Sequence, residues 1–216
     1  MLNTSFIDDM SLRRSRARRC MALKCMSASS AAKEDDTQQA IIELLNEALA
    51  TELLCVLRYK AHYYASHGFV SDGDSVKLAD SDYWQQATEE QRHVDQLAER
   101  IEQLGGYADF NPQMLTERGY SDYTSIGSSL DTLQEDLIAA RIKIDIYREM
   151  IRFVASRDSA TRDVLQEVLQ QEMKHMERIN SRIESLRNTL PSLTVRPMTL
   201  LPRHRPQRMS SLVVSP

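Results

Sequence analysis

Glu90-Gln-Arg-His93 and Glu172-Met-Lys-His175 repeat one spacing, a carboxylate with an imidazole three residues on. On an α-helix that spacing sets both side chains on one face, one above the other. A third acid, Glu52, falls in phase with apolar neighbours, as Glu90 and Glu172 do. A carboxylate buried without a partner is costly, so it must take a proton, pair with a cation or bind a metal. Carboxylate oxygen together with imidazole nitrogen suits iron, manganese or zinc. A single Glu-x-x-His on a charged helix arises readily by chance and needs no ligand. Two of them, both in core phase and on non-consecutive helices, carry far more weight.

Gly and Pro mark out the elements that must hold these residues. Neither occurs in the windows 37–67, 74–104, 128–155 and 158–190, and both weaken helix interiors. Each window repeats apolar residues at helical spacing. The stripes run Ile41, Leu45, Leu49, Glu52, Val56, Tyr59; Tyr83, Ala87, Glu90, Val94, Leu97, Ile101; Leu133, Leu137, Ala140, Ile144, Tyr147, Ile151; and Leu165, Val168, Glu172, Met176, Ile179, Ile183. Thr37 can cap the first helix, Asp74 or Ser75 the second, and Ser128 or Ser129 the third. Gly105-Gly106 stops the second. The break between the third and fourth falls at Ser156-Arg157-Asp158, with Asp158 as N-cap. Short links make antiparallel neighbours of the first pair and of the second pair. The connection 105–127 is long enough to run the length of a bundle. The fold expected is an all-α, antiparallel four-helix bundle with one long crossover between helices 2 and 3.

The two halves repeat. Glu52 is followed by Tyr59 at +7 and by Glu90-x-x-His93 on the next helix. Ala140 is followed by Tyr147 at +7 and by Glu172-x-x-His175. A Glu from each of two helices plus Glu-x-x-His from the other two is the di-iron bundle constellation. The repeat predicts the fourth carboxylate at 140, where alanine stands.

Composition bounds the rest. The chain has 216 residues, 42% hydrophobic and 27% charged, as expected for one domain with one core. No stretch approaches the roughly 18 apolar residues of a membrane helix. Cys20, Cys25 and Cys55 are too few for a disulfide scaffold, so a reducing, cytoplasmic setting is the default. Residues 10–33 carry seven basic side chains and no acid, and 191–216 carry four Arg and no acid. With Asp8 and Asp9, the total of −4 leaves −13 on residues 34–190. The expected organisation is a basic, disordered leader (1–36), the bundle (37–190) and a Pro/Arg-rich disordered tail (191–216). The leader reads as an organellar transit sequence, a phosphate-binding arm or a misassigned start.

The segments LLNEALATELLCVLRYKAHYY, ATEEQRHVDQLAERIEQLGG, EDLIAARIKIDIYREMIRF and DSATRDVLQEVLQQEMKH resemble the bacterioferritin and Dps-like branch of the ferritin-like superfamily. The resemblance spans about 37 to 187. It implies oxidation of ferrous iron by oxygen or peroxide inside the bundle, and storage of the product in a hollow shell of identical subunits. It assigns Glu52, Glu90, His93, Glu172 and His175 as ligands and catalytic residues. Basic tails on Dps-type shells bind DNA. Haem-binding relatives carry Met just after the second-helix Glu; Gln91 stands here, so no haem is expected by that route.

The departure is Ala139-Ala140-Arg141-Ile142, where the family usually has Glu in its AERI segment. Asp136, one turn earlier and about 6 Å away along the axis, is the candidate substitute. Without it, three carboxylates and two imidazoles would hold one metal well and a second loosely. Two functions follow: an iron-oxidising storage or detoxifying protein, or a degenerate metal-binding or DNA-associated stress protein with little oxidation. An oxygenase acting on an organic substrate is disfavoured by the small domain. Tyr59 and Tyr147 read as ligand partners, radical quenchers or core tyrosines, and Cys55 as core filler beside the metal. His62 and His67 read as partners of helix-end carbonyls, Met173 and Met176 as packing, and His204 as part of an unstructured tail.

Overall fold

The computed structural model of the chain describes residues 34–68, 80–120 and 129–193. Four long helices carry the fold: α1 (Glu34–Gly68), α2 (Asp80–Gln103), α4 (Ser129–Val154) and α5 (Ser159–Leu193). Between α2 and α4, a 3-10 turn at Pro112–Met114 runs into the short helix α3 (Leu115–Arg118). No strand occurs among the described residues.

α1 begins at Glu34, three residues before the expected cap Thr37, and α5 continues to Leu193, past Pro191. Residues 34–36 of the expected leader are thus helical, while residues 1–33, Asp74, Ser75 and the tail beyond 193, with His204, lie outside the described residues. α1 packs along α2, and α4 along α5. The start of α1 meets the end of α2, where Gln38 bonds the Leu104 carbonyl. The end of α2 meets the start of α5, where Arg100 holds Asp158 at 2.7 Å. Neighbouring helices are therefore antiparallel.

The helix ends follow from their residues. Gly105, at φ +72°, closes α2: its N–H bonds the Glu102 carbonyl and the Gly106 N–H bonds that of Ile101. This left-handed stop suits glycine. A Cβ on Gly106 would stand 2.7 Å from Ile42. Asp158 caps α5 by accepting from the Thr161 N–H at 3.0 Å.

The main core joins Leu45, Leu49, Val94, Leu97, Ile101, Met150, Leu165 and Val168 from all four long helices. The crossover adds a second cover. Leu115 packs on Ala50 and Leu54, the Asp109 N–H donates to Asn46, and the Tyr120 N–H donates to Thr51 Oγ at 3.0 Å. α1 is thus buried on two sides, one more than its single stripe suggests.

Candidate metal centre

Glu52 on α1, Glu90 and His93 on α2, and Glu172 on α5 converge inside the bundle. All four are buried, and one ligand atom from each lies within 4.8 Å of the others. α4 forms the remaining wall. Ala140 sits there with its methyl packed among Leu133, Ile179 and Ile183. One turn on, Lys143 reaches into the cluster. Its Nζ lies 2.6 Å from Glu90 Oε2, 2.7 Å from Glu172 Oε1 and 3.1 Å from Glu52 Oε2. An ammonium carries three N–H donors, and three carboxylates meet them.

The outer oxygens are held as well. Tyr147 donates to Glu52 Oε1 at 2.6 Å. Gln86 donates to Glu90 Oε1 at 2.8 Å and is itself held by Arg178. His93 Nε2 donates to Gln171 Oε1 at 2.7 Å, which leaves Nδ1 facing inward. That atom stands 3.3 Å from Glu172 and 3.6 Å from Glu52 and Glu90. It and Glu172 Oε2 are buried without a hydrogen-bond partner.

Burial and charge oppose one another here. Burial raises the Glu52 carboxyl to about 7 against the pull of Lys143, with Glu90 and Glu172 adding to the rise. Burial acts in the same sense on Glu90, but Lys143, Glu52 and His93 outweigh it and hold Glu90 well below the usual carboxylate range. For His93, burial disfavours the cation, yet the facing oxygens of Glu172, Glu52 and Glu90 raise it to about 12. Burial likewise works against the Lys143 ammonium, and the surrounding anions more than restore it.

These donors fit one transition-metal ion once His93 Nδ1 gives up its proton: three carboxylates, and one imidazole whose Nε2–H is held by Gln171. They do not fit two. His175, the fifth expected ligand, lies outside the four-residue group. Its Nε2 is 2.7 Å from the Tyr59 hydroxyl, and burial lowers its pKa, with Glu172 and Glu90 opposing. Asp136 does not replace the missing carboxylate. Too short to span a helical turn, it faces His62 instead, Oδ2 3.5 Å from Nδ1. Both are buried, and His62 Nδ1 faces α4 rather than the end of its own helix. His175 and Asp136 line a cavity of about 480 Å³ with Tyr59, Tyr83, Gln86 and Arg178.

Cys55 packs with Tyr59, Tyr83 and Ala87, and burial pushes its thiol up to about 12. Met176 packs against Ile179 and Ile183, as expected, while Met173 is partly exposed. The side chain of His67 is outside the description. Sequence reasoning missed Lys143, Gln86, Gln171 and the His62–Asp136 pair. Lys143 left a signal: it lies three residues after Ala140 and four before Tyr147, within the inward face of α4.

A family model, Ferritin-like domain, matches residues 42–189. The bacterioferritin of Desulfovibrio desulfuricans is 28% identical over 163 residues, covering 74% of this chain and 84% of that protein. Three solved structures share the fold. The bacterioferritin-related protein of Bacteroides fragilis, described as a dodecameric thioferritin, has a TM-score of 0.65 at 23% identity, covering 73% of this chain and 92% of its own. The D. desulfuricans bacterioferritin, solved with its diiron site in different catalytic states, has 0.64 at 19%, covering 85% and 100%. The Dps of Thermosynechococcus elongatus has 0.64 at 16%, covering 70% and 95%. Over more than half of its length, then, this chain carries the family's signature, and it belongs to the ferritin-like domain family.

Proposed function

We propose that the chain takes ferrous iron at the intra-bundle cluster and oxidises it, contributing to iron storage or detoxification. The convergence of Glu52, Glu90, His93 and Glu172 within 4.8 Å carries this reading. Iron, as substrate, gives one electron per ion to oxygen or peroxide. The protein's part is to bind, orient and exclude water. Three carboxylates favour the more highly charged ferric product. Tyr147 and Gln86 fix the directions of Glu52 and Glu90, and Gln171 presents His93 Nδ1. Manganese and zinc suit the same donors, and their competition against ferrous ion in the titration ranks the three. An anaerobic ferrous titration of the full chain, followed by oxygen or peroxide and ferric absorbance, tests the reading. Failure to take up ferrous ion overturns it.

A slower, degenerate version is the second reading. Ala140 in place of an acid and the presence of Lys143 among the carboxylates favour it. It expects substoichiometric metal and little oxidation.

The assembly we propose is a homo-oligomer with a hollow interior. Tyr64 and Trp84 are exposed, Tyr64 meeting Tyr63 edge-on and Trp84 tilted against it, a surface suited to contact between copies. Light scattering on the full chain distinguishes a shell from a monomer. Among the described residues no helix is long and apolar enough to cross a membrane. A cytoplasmic location is proposed from the thiol content and tested by fractionation.

A further inference from the structure

We propose that Lys143 is the built-in cation of this bundle. Its ammonium holds the place among Glu52, Glu90 and Glu172 that a metal ion would take, so a divalent ion enters the cluster only by displacing it. The inference rests on the iron-binding reading above and concerns what controls access to that site.

Stoichiometry is the first argument. Three N–H donors meet three carboxylates at 2.6–3.1 Å, one from each of α1, α2 and α5. With Tyr147 and Gln86 on the outer oxygens, only Glu172 Oε2 among the six carboxylate oxygens lacks a hydrogen-bond partner. A network so nearly complete is stable without a metal. Location is the second. Lys143 is 2% exposed, so its cation does not reach water as lysines usually do. Charge is the third. A divalent ion bound by these oxygens would stand within contact distance of a like-charged ammonium, in surroundings that screen poorly. Both cannot occupy the cluster. The position of the lysine agrees with the alanine one turn before it. The wall of α4 that would have brought a fourth anion contributes a cation instead.

Lys143→Met is the informative variant, unbranched, of similar length and uncharged. Cobalt(II) is the probe, since its visible bands report inner-sphere coordination by oxygen and nitrogen. Full-length wild type and variant are titrated with cobalt(II) while bands and melting temperature are recorded, and both are melted in chelator. The wild type is expected to bind cobalt only near millimolar concentration and to melt at the same temperature with and without chelator. The variant is expected to bind cobalt at least about tenfold more tightly and to gain several degrees of Tm with it. Folding only when cobalt is present would also support the proposal. If the variant fails to fold under any condition, the wild type alone decides. A Tm that falls in chelator, or a wild-type inner-sphere site that saturates at micromolar cobalt, overturns the proposal, and saturation only near millimolar cobalt supports it. Equal affinity in both proteins overturns this inference and leaves the iron-binding reading standing. Uptake by neither, with the variant folded, overturns both.

Discussion

The Tyr59 hydroxyl lies 2.7 Å from His175 Nε2 and meets the imidazole edge-on. The contact commits one of the two repeated histidines to a tyrosine, while its counterpart His93 faces the carboxylates. Tyr59→Phe should leave His175 Nε2 buried without a partner, while the ring still stacks on Tyr83. The expected cost is about 1–2 kcal/mol, read from urea unfolding. An unchanged midpoint would show that the bond contributes nothing.

Glu90 accepts the shortest contact of Lys143 and is buried completely. Glu90→Ala leaves the ammonium with two carboxylates and strips Gln86 of its acceptor. Breaking one member of a buried charge network costs about 3–5 kcal/mol. Glu90→Gln, which keeps an oxygen acceptor, should cost less. Denaturant midpoints of the two variants check the ordering.

Ala140→Glu puts an acid into apolar packing against Leu133, Ile179 and Ile183. In chelator the variant should be about 1–3 kcal/mol less stable than wild type. It should also hold more metal per chain by elemental analysis. Unchanged metal content would mean that the alanine is not what limits loading.

Asp158 caps α5 and pairs with Arg100. Burial would raise its pKa, but Thr161 and Arg100 prevail and lower it from 3.8. A lowered carboxyl stabilises the fold above its ordinary pKa, and that stability is lost as the pH falls below 3.8. Asp158→Ala should cost about 1 kcal/mol at neutral pH, and the gap to wild type should close on acidification. A gap constant down to strong acid would contradict the linkage.

The basic residues 10–33 lie outside the described part of the chain. If they form a phosphate-binding arm, full-length protein should retard duplex DNA and a 34–216 chain should do so far less. The retardation should fade as salt rises, without sequence preference. Equal shifts by both chains would dismiss the arm.

The helices were legible because Gly and Pro are excluded from the same windows in which apolar residues recur at helical spacing. Glu52, Glu90, His93 and Glu172 were legible because an acid in core phase demands a partner. The partner was harder to see. Lysine at 143 reads locally as a solvated side chain, and only the inward turn of α4, fixed by its packing on α5, buries it. The His62–Asp136 pair joins α1 to α4 across 74 positions in the chain, a relation that no local spacing encodes. His175 satisfies the same i, i+3 rule as His93, and the competing hydroxyl of Tyr59 decides its direction.

The cluster is divided between two hairpins. α1 and α2 bring two acids and an imidazole, whereas α4 and α5 bring an ammonium and one acid. Sliding one hairpin by a single turn, about 5.4 Å, would strand charges in oil with no counter-ion opposite. Greasy residues tolerate such misalignment, and unmatched ions do not. The polar knot thus works as a key that admits only one docking of the halves.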